Sequence, residues 1–256
     1  MLSAILHGKK TGSGLAGRQF KIGETQGAED LLTATIFERI SYLPNNTFQE
    51  VIKKLFDDKE DIGNLQNIEY WPKWMNKNRF IEPDVVLTGT NGKNIIIEAK
   101  RYDNTQQQYA IQLANEIMSY YDSTGLSNPI LLAIGGMDSY DKKRVEKIKK
   151  EIKNILIQNS FNREFTLYCI SWKKLYQILE SSIHQSEIFL QRILSDIREA
   201  YIWHGVRYKS IQWLKSLKRN DIIHISIPIK IRIEKKWIEL KKMNISKTHF
   251  PSFLGE

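Results

Sequence analysis

Cysteine is nearly missing from this 256-residue chain: Cys169, in the apolar run FTLYCISW, is the single one. An intramolecular disulfide and a thiolate zinc site are therefore excluded, and Cys169 is left the role of a small buried hydrophobe. Histidine is scarce too, and His7, His184, His204, His224 and His249 show no metal-ligand spacing such as HExxH. A GxxxxGK(S/T) phosphate loop does not occur, so any nucleotide-driven motor would have to be a separate subunit. No apolar run approaches the ~18 residues of a membrane span. The opening MLSAILHGKK is too short, and polar too soon, for a secretory signal. The expectation is a cytoplasmic protein with no membrane partner. Internal repeats and low-complexity tracts are also lacking.

Charge is present but unevenly placed. The net charge is +9; residues 1–140 carry 14 Lys+Arg against 17 Asp+Glu, and residues 141–256 carry 24 against 12. The basicity thus belongs to the C-terminal part, which points to a polyanionic partner such as nucleic acid. A Lys-rich surface that merely solvates the protein is the rival explanation.

Periodicity divides the chain into three parts. Residues 1–26 form a Gly-rich leader expected to be flexible. Residues 27–180 read as an α/β core, and 181–256 as a basic extension of helix and strand. Leu32, Ile36, Ile40 and Leu43 share one helical face before Pro44 ends the helix. A second helix covers NTFQEVIKKLFDD, and IEYWPKWMNKNRF is aromatic and irregular. PDVVL and NIIIEAK are strands joined by Asn91-Gly92, a strong hairpin signal. A helix over TQQQYAIQLANEIMSYYDS, the buried strand PILLAIGG, a basic helix SYDKKRVEKIKKEIKNILIQN, the strand EFTLYCISW and the helix KKLYQILESS follow. This order predicts a mixed sheet flanked by helices. In the extension SEIFLQRILSDIREAYIW is a helix. Alternation of Ile223 to Ile233 predicts a half-buried strand there, and Pro228 makes it an edge or bulged one.

The hairpin carries charge where a buried ribbon should not. Glu98 and Lys100 lie two apart and share a strand face. A turn near residues 90–93 then brings Asp84 opposite them. Two carboxylates and a lysine gathered in this way suit phosphodiester hydrolysis. The carboxylates, with a backbone carbonyl such as that of Ala99, bind Mg²⁺, with Mn²⁺ as a substitute, and the ammonium orients water or neutralises developing charge. An exposed hairpin bearing an ordinary Glu–Lys pair is the alternative.

Pro83-Asp84, thirteen residues, then Glu98-Ala99-Lys100 closing an apolar strand resembles the PD-(D/E)xK nuclease superfamily over residues 27–172. The resemblance implies a restriction-endonuclease-like central mixed β-sheet flanked by helices. It implies Asp84 and Glu98 as metal ligands and Lys100 as the water-positioning cation. A first-helix glutamate, matched here by Glu29, would also serve the metal site. Glu29 centres on the face of Leu32, Thr33, Ile36 and Ile40, while Glu38 falls on the opposite, solvent side. A helix-terminal charge favoured by the macrodipole is the alternative for Glu29. The family's glutamine on the next helix is matched by Gln108 or Gln112. Gln112-Leu113 resembles the RecB-like variant, which expects a tyrosine where Glu116 stands, and a solvated glutamine remains open.

The implied activity is that of a DNA endonuclease serving restriction, anti-phage defence or DNA processing. A homodimer or partner subunits are implied if both strands are cut. A non-catalytic nucleic-acid-binding module of the same fold and an RNA-directed nuclease are the rivals. Basic residues expected at the nucleic acid are Arg101 beside Lys100, then Lys142, Lys143, Arg144 and Lys147 on the basic helix, and Lys230 and Arg232 in the extension.

Overall fold

The computed structural model describes residues 28–76, 79–183 and 187–209, and the backbone of 225–233 and 236–245. The Gly-rich leader lies outside these residues. Two compact units divide at Tyr208/Lys209.

The first unit holds a five-stranded mixed sheet with helices on both faces. Helices α1 (Ala28–Ile40) and α2 (Asn45–Leu55) open it, followed by strand β1 (Leu65–Tyr70) and a small hairpin of β2 (Trp74–Asn76) and β3 (Arg79–Ile81). Strands β4 (Val85–Gly89) and β5 (Asn94–Ala99) form the central hairpin. Helix α3 (Ala110–Thr124), strand β6 (Ile130–Ile134), helix α4 (Lys142–Gln158), strand β7 (Thr166–Ile170) and helices α5 (Trp172–Ser182) and α6 (Ile188–Trp203) complete it. The strand order is β1-β4-β5-β6-β7. The pairs β1–β4 and β4–β5 are antiparallel, whereas β5–β6 and β6–β7 are parallel. The parallel steps need crossovers, and α3 and α4 supply them.

The two-residue period of the strands sorts the core into layers. Ile95, Ile97, Ala99, Leu132 and Ile134 face the cluster built with α1, α2, α5 and α6. Val86, Ile96 and Leu131 face the one built with α3 and α4. By the same period Asp84 and Glu98 fall on the α3 side of the sheet. The hairpin turns where expected: Gly92 donates to the Gly89 carbonyl at 3.0 Å and takes φ +79°. That left-handed backbone suits glycine.

Three expectations change. The aromatic stretch before the hairpin, read as irregular, contributes the end of β1, all of β2 and the first two residues of β3. β1 has the polar sequence LQNIEY and only its last residue is buried, as befits an edge strand paired on one side. The core does not end at residue 180, because Leu190, Leu194, Ile197 and Tyr201 of α6 join the α1 cluster and the unit runs to Tyr208. Glu38 is buried rather than solvent-facing and pairs with Arg39 at 3.3 Å.

In the second unit β8 (Ile225–Ile233) and β9 (Lys236–Ile245) form an antiparallel ladder whose register shifts between Ile227 and Ile229. That irregularity brackets Pro228, which has no N–H to give a ladder. Cys169 is half-buried against the α3–α4 cluster. Burial pushes its thiol up to about 12, so it stays protonated. No helix among the described residues is long and apolar enough to cross a membrane.

Candidate functional site

The ribbon β4–β5 delivers its charges to one place. Val85 pairs with Ile97, so Asp84 and Glu98 stand at the next rung. The Asp84 carboxylate accepts from the Ala99 N–H at 2.8 Å and from the Trp71 indole N–H at 3.3 Å. Trp71 is held for this contact: its φ is +47°, and its own N–H donates to the Asp84 carbonyl at 3.1 Å. Left-handed backbone at a bulky aromatic is uncommon, and such strain persists where the surroundings fix it.

Glu98 is the hub. Lys100 Nζ donates to Glu98 Oε1 at 2.5 Å, and the Gln112 amide donates to the same oxygen at 2.6 Å. Gln108 donates to the Glu98 main-chain carbonyl at 3.1 Å. Both glutamines therefore serve Glu98, one at its carboxylate and one at its backbone. Gln108 precedes the helix and Gln112 lies in its first turn, because α3 begins only at Ala110. Lys100 Nζ also lies 3.4 Å from Glu29 Oε1, and Glu29 Oε2 accepts from the Arg101 N–H at 2.9 Å. The N-terminus of α1 thus reaches the C-terminal end of β5 from the opposite face of the sheet. Asp84, Glu98, Lys100, Glu29 and Gln112 are gathered into one cluster.

Sequence reasoning missed Glu116 as a member. It lies one turn beyond Gln112 on α3, is 1 % exposed, and its Oε2 has no hydrogen-bond partner. The usable signal was its four-residue spacing from Gln112, which puts both on one helix face.

Three carboxylates with little water produce shared electrostatics. Burial, then the Glu98 charge, push the Asp84 carboxyl well above its ordinary range. Burial, then Glu116, do the same to Glu98. Burial raises Glu116 to about 8, with the Asp84 charge adding to it and hydrogen bonds to Glu98 and Gln112 opposing it. Burial works against charge on Lys100, but Glu98 and Glu29 outweigh it, so the pKa is raised and the ammonium persists.

The end of β6 shapes the lysine's place. Gly135 and Gly136 take φ +68° and +65°. A Cβ on Gly135 would stand 2.0 Å from the Lys100 carbonyl oxygen, and one on Gly136 would stand 2.5 Å from the Lys100 Cβ. Either glycine changed to alanine combines a forbidden contact with left-handed backbone. Gly135→Ala and Gly136→Ala are each expected to cost about 1–3 kcal/mol in urea unfolding. Because the clash falls on Lys100, the lysine should be displaced from Glu98 as stability drops.

The expected nucleic-acid contacts divide. Arg101 is corrected: its side chain is 7 % exposed, and Nη2 donates to the His204 carbonyl at 2.8 Å. It anchors the end of α6 rather than facing a ligand. Arg144 is tied to Asp138 at 2.9 Å and to Gln106 at 2.5 Å, joining α4 to the loop that leaves Lys100. Lys142, Lys143 and Lys147 are exposed. The side chains of Lys230 and Arg232 lie outside the described residues.

Among the described residues no group of three or more His, Cys, Asp and Glu side chains is placed to hold a metal ion. The donor set is narrower: Asp84 and Glu98, with the unpartnered Glu116 oxygen behind them. Mg²⁺ commonly takes one or two protein carboxylates and keeps water and phosphate for its other positions, so this chemistry fits it.

A mixed α/β protein with a buried carboxylate–lysine cluster at the end of its central hairpin is what the fold and site define. No family model matches the chain. A solved structure titled "Protein of Unknown Function AF1548" is similar over 63 % of this chain and 95 % of that one, at 12 % identity and a TM-score of 0.31. The functional reading therefore rests on the residues of the site.

Proposed function

We propose that this protein is a Mg²⁺-dependent DNA endonuclease of the PD-(D/E)xK type, with a restriction-endonuclease-like fold. The observation that carries the reading is the meeting of Asp84, Glu98 and Lys100, with Gln112 and Glu29 bonded into the same cluster. Asp84 and Glu98 would hold the ion. When bound it supplies polarisation of a phosphate and a more acidic water. Gln112 and the Ala99 N–H fix the orientation of the two carboxylates. The permanently charged Lys100 stands at Glu98, where it can donate to water or to a phosphate oxygen as negative charge grows. Lys142, Lys143 and Lys147 would attract the backbone, with an affinity that falls with salt. Restriction, defence or DNA processing is the setting this chemistry suits. One such site cuts one strand, so a double-strand break calls for a second copy or a partner subunit.

A second reading has one observation in its favour. The Lys100 ammonium already neutralises Glu98, at 2.5 Å, and Glu29, at 3.4 Å. A module that clamps DNA without cutting it would be content with such a self-satisfied cluster. Nicking of supercoiled plasmid in Mg²⁺, Mn²⁺ or EDTA separates the two. The endonuclease reading expects metal-dependent nicking by the wild type and its loss in Asp84→Ala and Lys100→Ala. Equal nicking by all three proteins removes these residues from the chemistry. Salt-sensitive binding without nicking selects the clamp.

A further inference from the structure

Beside the carboxylate cluster lies a cleft of about 390 Å³ between β3 and the start of α3. Phe80, Tyr109 and Ile111 stand at its mouth, and Gln112 and Glu116 line it as well. These last two are the α3 residues that reach Glu98, so the cleft runs into the candidate active site. Its wall is well anchored, since Trp74 of the β2–β3 hairpin packs edge-on against Tyr120 of α3, ring centroids 5.6 Å apart. Its size falls in the ~300–1,000 Å³ range of small-ligand sites.

Two features specify what would fit. Phe80 is 61 % exposed and Tyr109 57 %, so two aromatic rings are left in water at the rim. The acidic side chains lining the cleft are Glu82, which Lys73 meets at 3.9 Å, and Glu116, which burial keeps mostly protonated near neutral pH. They accept hydrogen bonds from the exocyclic amines of cytosine and adenine, and aromatic rims stack on the face of any base.

We infer that the cleft takes an unpaired nucleobase of the strand being cut, which makes single-stranded or locally melted DNA the substrate class. The inference rests on the endonuclease reading for the meaning of "cut", but the cleft's ligand is measurable without cleavage. In a duplex the bases are stacked and paired inside the helix, so a base must leave the stack to enter such a cleft. The phosphates on either side of that base stay outside the acidic lining, one of them beside Lys100.

The test uses the full chain in EDTA and a short DNA oligonucleotide carrying 2-aminopurine, whose fluorescence falls on stacking. Wild type is expected to quench the single strand and to leave the fully paired duplex, already dim because its bases are stacked, unchanged. Phe80→Ala and Tyr109→Ala should each bind the single strand about five- to hundredfold more weakly, the range for loss of one base–aromatic stack. Tyr109→Phe, which keeps the ring, should bind as wild type does. Both positions are exposed, and unchanged thermal melting of the variants checks that the fold is intact. Absence of quenching by wild type, or equal binding by the alanine variants, overturns the inference. Plasmid nicking without quenching would leave the endonuclease reading standing and remove the cleft. Quenching without nicking under any metal would do the reverse and make the cleft the base-binding face of a clamp.

Discussion

Asp84→Asn is expected to lower the Mg²⁺-dependent nicking rate by about 10³-fold, as loss of a group aimed at the reacting centre does elsewhere. The substitution is isosteric, and the residue is 7 % exposed, so the fold keeps its shape. One acceptor remains for the Ala99 N–H while the bond from the Trp71 indole is lost, and relief of a buried charge offsets that loss. Melting temperature should therefore move by only a few degrees. Glu98→Gln should match Asp84→Asn in activity, since Glu98 accepts from both Lys100 and Gln112. Gln112→Ala and Glu29→Gln should cost less, about 10–100-fold, because each acts on the cluster through another residue. Steady-state nicking rates under saturating metal give the ranking. A site in which all four variants lose equally would mean that folding, not chemistry, was measured.

Metal-free protein should be markedly less stable at pH 8.5 than at pH 5.5. Glu116 has its pKa raised from 4.5 to about 8, and Asp84 and Glu98 are raised as well. With a raised folded pKa, the native state binds more protons than the unfolded chain between the two values. Stability is then full below about pH 4.5 and lost as pH climbs through about 8. The loss should be on the order of a few kcal/mol in urea unfolding with EDTA present. Glu116→Gln mimics the protonated acid and keeps a donor for Glu98. It should flatten a large part of the slope and make the protein more stable than wild type at pH 8.5. A wild-type profile that rises through this window contradicts the proton-sharing cluster. Saturating Mg²⁺ at pH 8.5 should restore stability, because an ion bound only by the native state shifts the folding equilibrium.

The central hairpin was the legible part of this protein. Asn91-Gly92 set the turn, and the two-residue period then fixed which ends of PDVVL and NIIIEAK meet, so Asp84 opposite Glu98 followed from local rules. The β-branched and apolar runs of β5 and β6 and the basic amphipathic α4 were equally readable, since burial imposes their periods directly. β1 was not, because an edge strand exposed on most of its length carries no apolar alternation to read. Arg101 was misplaced for a different reason. Its use depends on the end of α6, a hundred residues away, and no local pattern foretells a partner at that distance. Glu116 sat in view as a departure from a family pattern, yet a carboxylate's burial is decided by packing of α3 against the sheet. Chain spacing alone placed it on the right face and could not say that it was dry.

The most direct measurement is anomalous scattering from crystals of the full chain grown with a short oligonucleotide and soaked in Mn²⁺. The account predicts one strong peak about 2 Å from an oxygen of Asp84 and an oxygen of Glu98, with Lys100 turned toward phosphate or water. No peak there, with Lys100 and Gln112 still bonded to Glu98 and DNA bound elsewhere, would contradict it.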